Sequence, residues 1–383
     1  MKPKKRRPLR RVAVITGSRA EYGLLRSTMH AVDQHPHLKL QVVVTGMHLL
    51  PKFGRTINDI RRDGWMIDAR VRMQDGSDDA IDQALGLSRG VADIARYLLE
   101  AKTDMVVVLG DRIEAMAGAL AAATVGCVLA HIHGGDIAPG DLDDSLRHAI
   151  TKLAHIHFAA TRKSAQRIER MGEAKRRIHL VGAPGLDRLA ELVKECPLST
   201  SNSKHALVIQ HPCGRSAAYE RKVMLTALRA VAATGLERTI LYPNSDRGHQ
   251  GIIEAIEKHH EQSTDGSVRV VRSLDHDGYL KLLISADVLI GNSSSGIIEA
   301  ATAGTPVVNI GPRQTGRERS GPSVVDAKET ATSIREALRR ALQKRPIMGR
   351  ETVYGRGGVG RRIAAILSKT RLDRHLRTKI NAY

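Results

Sequence analysis

The sequence predicts an α/β protein made of two Rossmann-like halves, each a doubly wound parallel sheet with helices on both faces. Three observations carry that expectation. Strand-like runs alternate with helical segments along most of the chain, the rhythm of parallel βαβ units. The strands are near-continuous Val, Ile and Leu runs, such as DMVVVLG at 104–110, as strands buried on both faces must be. Finally, 383 residues at 42% hydrophobic content exceed one ordinary core. Composition shifts once, at Pro184, Gly185, Pro197 and the run LSTSNSK.

Taken in order, RVAVITG at 11–17 is the first strand and Ala20–Gln34 has helical spacing. KLQVVVTG at 39–46 is the second strand. The stretch 47–78 is polar and interrupted by glycine, and fits neither period. A helix follows at 79–101, a strand at 104–110, an Ala-rich helix at 113–125 and a strand at 127–132. Helix 143–153, strand 155–160, helix 162–171 and strand 177–182 complete the first half. The second half reads as strands at 206–210, 238–242, 268–271, 287–290 and 306–310. Its helices fall near 217–233, 248–260, 275–285 and 295–303. The expected organisation is a basic tail at 1–10, a first domain at 11–185, a linker at 186–204 and a second domain at 205–354. A basic C-terminal helix at 355–383 would pack back on the first domain.

Charge and composition exclude several function classes. Net charge is +20, but residues 1–11 carry +7 and residues 344–383 carry +9, leaving only +4 on the body between them. With one Trp and two Phe there is no aromatic stacking platform, so nucleic acid is not expected as a partner. Solvated ends are the plainer reading, with a polyanion or membrane surface as the alternative. No 18-residue uncharged apolar run exists, so no membrane span is expected. Cys127, Cys196 and Cys213 have no paired spacing, which suits a reducing cytoplasm and rules out a disulfide scaffold.

Parallel sheets bind ligands beyond the carboxyl ends of their strands, so two such halves imply a cleft lined by strand ends. Several of those ends are polar. Gly17-Ser18-Arg19-Ala20-Glu21 turns tightly into a helix, whose free N–H groups suit an anion and whose Arg19 suits a phosphate, or else simply caps the helix. Asp111 follows the strand at 104–110 and either caps the next helix or enters the cleft. His131-Ile132-His133-Gly134-Gly135-Asp136 ends the next strand, and Asp143, Asp144, Arg147 and His148 open the helix after it. Clustered carboxylates shift one another's pKa, which suits acid–base work. His131 and His133, two apart on a strand, would share a face and could hold a metal ion. No other convergent ligand set is visible, so no metal is expected.

In the second half, Gly291-Asn292-Ser293-Ser294-Ser295-Gly296 joins a strand to a helix carrying Glu299, a turn that would admit a diphosphate, with Glu299 placed for ribose hydroxyls. Gln210-His211-Pro212 and Tyr242-Pro243-Asn244-Ser245-Asp246 also end at the cleft, and Arg313 and Arg317 would neutralise a diphosphate. Neither G-x-G-x-x-G nor G-x-x-x-x-G-K-[ST] occurs, so neither a dinucleotide site nor a P-loop is supported.

Together the segments TGSRAEYGLL, GDRIEAMAGALAA, HIHGGD, DDSLRHAITKLAHIHF, QHP, LYPNSD, IGNSSSGIIEA and GTPVVNIGPRQTGRER, in that order, resemble the hydrolysing UDP-N-acetylglucosamine 2-epimerases of sialic and legionaminic acid pathways. The similarity covers roughly residues 11–330. It implies a GT-B fold of two Rossmann-like domains facing across a cleft. It implies conversion of a nucleotide-activated 2-acetamido sugar to free N-acetylmannosamine, or an analogue, plus nucleoside diphosphate, through a glycal and without a cofactor. The non-hydrolysing epimerases are the alternative. By the same resemblance Asp111, Asp136, Asp143, Asp144 and His211 are catalytic. Ser294 and Ser295 take the diphosphate and Glu299 the ribose. Arg19, Glu21, Arg147, Asn244, Asp246, Gly296, Arg313 and Arg317 complete the expected substrate contacts. Some members carry Glu where this chain has His133, so both His133 and Asp136 are candidates for the carbon-2 proton. A homodimer or homotetramer is expected.

Overall fold

A computed structural model describes residues 9–51, 54–75, 80–137, 142–195, 204–243, 248–263, 265–272, 274–343, 349 and 352–382. The chain forms two compact units. One comprises Met1–Asp136, Leu142–Gly185 and Gly358–Tyr383; the other comprises Ile137–Asp141 and Leu186–Gly357.

The first unit is a seven-stranded parallel sheet of β1 (Arg10–Thr16), β2 (Leu38–Thr45), β3 (Ala69–Val71), β4 (Met105–Leu109), β5 (Val128–Ile132), β6 (Ile156–Ala159) and β7 (Ile178–Leu180), in the order β3-β2-β1-β4-β5-β6-β7. Its helices are α1 (Arg19–Asp33), α2 (Ile57–Arg62), α3 (Ala80–Glu100), α4 (Ile113–Val125), α5 (Asp143–Leu153) and α6 (Arg162–Arg170). Alternate residues of each strand enter different cores. Val12 and Val14 pack with Leu25, Met29 and Val32 of α1, whereas Ala13 and Ile15 join Ile94 and Leu98 of α3 and the alanines of α4. Burial on both faces explains why these strands lack a polar alternation.

The second unit begins with α7 (Leu186–Glu195) and continues through β8 (His205–Ile209), α8 (Ala217–Ala232), β9 (Glu237–Leu241), α9 (His249–Gln262), β10 (Val268–Val271), α10 (His276–Ser285), β11 (Val288–Gly291), α11 (Ser295–Ile298), α12 (Ala300–Ala303), β12 (Val307–Ile310), β13 (Val324–Ala327) and α13 (Ala331–Leu342). Its sheet runs β10-β9-β8-β11-β12-β13, the same winding as the first. The strand order reverses between β1 and β4 in one sheet and between β8 and β11 in the other, which is where ligands gather in open α/β sheets.

The chain then returns to the first unit through α14 (Val359–Lys369) and α15 (Arg374–Arg377). Val359, Ile363, Ala364 and Leu367 of α14 enter the core beside α1. Their close approach requires Gly360, where a Cβ would lie 2.3 Å from the Ser27 carbonyl oxygen. The described part of 355–383 is therefore two helices, not one.

Other boundaries also differ from expectation. Residues 186–195 are not linker but α7, with Leu186, Leu189 and Leu192 buried; Pro184 and Gly185 stand both at the helix start and at the boundary between the two units, where the first domain was expected to end. Residues 196–203 of that segment, and 1–8 of the N-terminal tail, lie outside the described residues; Arg10 already belongs to β1. Within 47–78 the chain builds α2 and β3, elements too short to show a period. The helix expected at 295–303 is broken at Glu299 into α11 and α12. Among the described residues no helix is long and apolar enough to cross a membrane.

Candidate active site

In the first unit four of the expected site residues belong to one hydrogen-bonded group. β5 ends at Ile132, and the chain turns sharply through His133, whose φ of 62° lies in the left-handed region, and through Gly135 at 73°. A side chain at Gly135 could not be accommodated, because its Cβ would sit 2.4 Å from the Ser164 carbonyl oxygen. Positive φ is uncommon outside glycine and costs on the order of 1 kcal/mol, so the turn is held by its surroundings. His133 Nδ1 donates to Asp136 Oδ2 at 2.8 Å, and Ser164 Oγ donates to Asp136 Oδ1 at 2.6 Å. A carboxylate only accepts, so Nδ1 carries the hydrogen and the lone pair of the neutral ring lies on Nε2. Both His133 and Asp136 are buried.

Arg147, one turn into α5, joins this turn to the end of β4. Its Nη1 donates to the His133 carbonyl at 3.1 Å and its Nη2 pairs with Asp111 Oδ2. Asp143 and Asp144 occupy the first turn of the same helix, where their charge suits the unpaired N–H groups. Asp144 Oδ2 lies 3.6 Å from His148 Nε2.

His131 lies fully buried in β5, while His133 lies beyond the strand end, so the two do not share a face as expected for a metal pair. Burial pushes the His131 pKa down to about 3, so the ring is neutral near pH 7. Its Nε2 donates to the Gly110 carbonyl at 2.8 Å and its Nδ1 faces Thr151 Oγ1 at 3.1 Å, joining the residue before Asp111 to α5. Among the described residues no group of three or more His, Cys, Asp or Glu is placed to hold a metal ion.

Glu21 and Arg19 belong to the turn and helix that follow β1. Glu21 is buried and accepts the Gly17 N–H at 2.7 Å. Burial, with the nearby Glu114 carboxylate adding, raises its pKa to about 8. Glu114 is itself buried against Gln74 and Arg112, and fills the space where a Cβ on Gly17 or Gly46 would go. This pair shapes the turn from inside it. Arg19 lies 3.9 Å from Asp59 of α2.

In the second unit Asn292 ties two strand ends together. Its Oδ1 accepts the His211 N–H at 2.7 Å and its Nδ2 donates to the His211 carbonyl at 2.8 Å. The Asn292 carbonyl in turn accepts Gln314 Nε2 at 2.8 Å and Arg313 Nη1 at 3.3 Å. Burial first, and then the Arg313 cation, hold the His211 pKa well below its ordinary value. Gly291 has φ 132°, and a Cβ there would fall 1.9 Å from the Ile209 carbonyl oxygen, so only glycine brings β11 this close to β8. Ser294 precedes α11, Ser295 Oγ bonds the Tyr279 hydroxyl, and Gly296 lies against Val307. Glu299 is buried at the break between α11 and α12, and Arg317 N bonds the Gln314 carbonyl. Asn244 and Asp246 lie outside the described residues.

Ser164, Thr151 and Glu220 escaped the sequence reading, and Asn292 and Gln314 were read only as members of their strand-end turns. Glu220 is buried and accepts both the Cys213 N–H and Arg215, fixing the chain after His211. Their only signal was polarity inside otherwise apolar or small-residue segments.

The UDP-N-acetylglucosamine 2-epimerase family model matches residues 30–368. A UDP-N,N'-diacetylbacillosamine 2-epimerase (hydrolyzing) of Legionella pneumophila is 35% identical, with 98% of this chain and 100% of that protein aligned. A UDP-N-acetylglucosamine 2-epimerase of Neisseria meningitidis is 31% identical, over 87% of this chain and 88% of that one. A GDP/UDP-N,N'-diacetylbacillosamine 2-epimerase (hydrolyzing) of Campylobacter jejuni is 29% identical, over 83% and 84%. The solved structure of a Neisseria meningitidis UDP-GlcNAc 2-epimerase bound to UDP-GlcNAc superimposes with a TM-score of 0.78 at 18% identity, covering 94% of this chain and all of that one, and so supports the GT-B type fold. On this match along most of its length, the chain belongs to the UDP-N-acetylglucosamine 2-epimerase family.

Proposed function

We propose that this chain is a hydrolysing 2-epimerase. It converts UDP-N-acetylglucosamine or a related nucleotide-activated 2-acetamido sugar, such as UDP-N,N'-diacetylbacillosamine, to the free 2-epimeric sugar plus nucleoside diphosphate. The hydrolysing relatives from Legionella and Campylobacter support this branch. The observation that carries the chemistry is the pairing of His133 with Asp136. Asp136 fixes the ring so that Nε2 presents a lone pair, the arrangement of an oriented general base.

His133 Nε2 takes the proton from carbon 2. The carbon–hydrogen electron pair forms the double bond to carbon 1, and the carbon 1–oxygen bond breaks with its electrons leaving on the diphosphate. Water then adds its hydroxyl to carbon 1 and a proton reaches carbon 2 on the opposite face. Net consumption is one water per turnover. Asp111, held by Arg147, and the acids Asp143 and Asp144 provide the second proton site. Ser294, Ser295, Arg313 and Arg317 neutralise the departing diphosphate, Glu299 takes the ribose, and His211 lies with this second set. The reading places the enzyme in the cytoplasm.

The test is NMR of the purified protein with each UDP sugar in deuterated water. Free sugar epimerised and deuterated at carbon 2, together with UDP, is the expected result. An intact epimerised nucleotide sugar would instead assign the chain to the non-hydrolysing branch.

A further inference from the structure

The cations of the C-terminal segment do not simply face solvent. Lys379 Nζ donates to the carbonyls of Thr151 at 3.3 Å, Ala154 at 2.8 Å and Lys152, the last turn of α5. It also pairs with Glu173 Oε2 at 2.8 Å. Arg377 donates to the carbonyl of Gly126, the residue that closes α4. A helix leaves its last carbonyls unsatisfied and partly negative, so cations there are both hydrogen-bond donors and dipole partners. The segment is fixed further by Ala382 N to the Gly172 carbonyl at 2.7 Å, by Lys152 Nζ to Asn381 Oδ1 at 2.7 Å and by Arg177 to the His375 carbonyl at 2.7 Å. Glu173 is buried; burial works to raise its pKa, but hydrogen bonds from His157, Lys152 and Lys379 outweigh that and hold it at about 2.

α4 and α5 are the helices whose amino ends carry the site. From the anchored turn, Thr151 leads back to it by two routes. Its hydroxyl bonds the carbonyl of Arg147 at 2.9 Å, and Arg147 holds Asp111 and the His133 carbonyl. The same hydroxyl faces His131, which bonds the carbonyl of Gly110, the residue before Asp111.

We propose that Lys379 is a positioning residue for the reaction: it pins the carboxyl end of α5 and through it sets Arg147, Asp111 and the His133 turn. This rests on the epimerase reading of that site. It also accounts for part of the C-terminal positive charge without a polyanion, since Lys379 and Arg377 are spent on helix ends and on Glu173.

The test compares the full-length protein with Lys379→Met, Lys379→Arg and Thr151→Val, measuring turnover, KM, UDP affinity and amide hydrogen exchange. A shift of under an ångström in a catalytic group is enough to slow chemistry, so Lys379→Met should lose about tenfold or more in kcat with KM and UDP affinity within about twofold. Exchange should quicken in α5 and in the C-terminal segment. Lys379→Arg should recover most of the rate. Thr151→Val leaves Lys379 in place and should lower kcat while the C-terminal segment stays protected. A folded Lys379→Met with wild-type kcat, or a loss of kcat with α5 exchange unchanged, overturns the proposal. If Lys379→Met does not fold, wild-type kcat in Thr151→Val overturns it. If the wild type turns over no 2-acetamido nucleotide sugar, the epimerase reading fails, and the exchange data alone decide whether Lys379 fixes α5.

Discussion

At the carboxyl ends of β4 and β5 stand Asp111, His133 and Asp136; at the carboxyl ends of β8 and β11 stand Gln210, His211, Asn292 and the serines 293–295. The two sheets are wound alike, with β8 and β11 in the places of β1 and β4. In the first unit side chains pair with carboxylates: Arg147 with Asp111, and the His133 ring with Asp136. In the second an amide, Asn292, closes the backbone of one strand on the next, and a glycine at φ 132° permits the approach. On the proposed function, the contrast means that one fold is tuned for proton transfer in one copy and for holding a polar ligand in the other, by residues confined to a few strand ends.

The largest expected effect breaks the first side of that comparison. His133→Asn keeps a residue that tolerates the left-handed backbone but removes Nε2, and should lower kcat by about 10³ or more, with UDP affinity within about threefold. Steady-state kinetics and calorimetry read both. A variant turning over at the wild-type rate would remove His133 from the chemistry.

Next in size is Gly291→Ala, which tests the second side. Its Cβ must displace the Ile209 carbonyl, at a cost of about 2–4 kcal/mol in stability. Chemical denaturation should show the loss, and UDP affinity should fall with it. An unchanged midpoint would mean that β8 and β11 do not need the close approach.

The smallest effect concerns the Glu21 carboxyl. Its pKa is raised from 4.5 to about 8, so the folded state favours the protonated form. The stability this gives is present in full below about pH 4.5 and is lost as pH rises through 8. Glu21→Gln escapes that loss, so the stability of the variant, followed by its melting temperature, should gain on that of the wild type between pH 5 and pH 9. A gap that stays constant with pH would contradict it.

These tests draw on features of unequal visibility in the sequence. The winding of both sheets and the strand-end position of Asp111, His133, Asp136 and Ser294 were legible, because buried parallel strands leave unbroken apolar runs. The partners were not. Asn292 reads as one more small polar residue in a serine-rich turn, and its clamp on His211 spans 81 positions. His131 and His133 look equivalent as letters, and only the end of β5 between them makes one a buried bridge and the other a candidate base. Lys379 lies 228 positions from Thr151, in a stretch whose charge suggested solvent. α7 was hidden behind Pro184 and Gly185, although Leu186, Leu189 and Leu192 carry a helical period.

The central claim is the division of labour between the two strand-end clusters, and the most direct measurement sets kcat beside UDP affinity in Asp111→Asn and Glu299→Gln. The account predicts opposite patterns. Asp111→Asn should lose about 10³ or more in kcat with UDP affinity within about threefold, whereas Glu299→Gln should lose about tenfold in UDP affinity with a smaller loss in kcat. Loss of UDP affinity in Asp111→Asn with kcat preserved, or the same pattern in both variants, would contradict it.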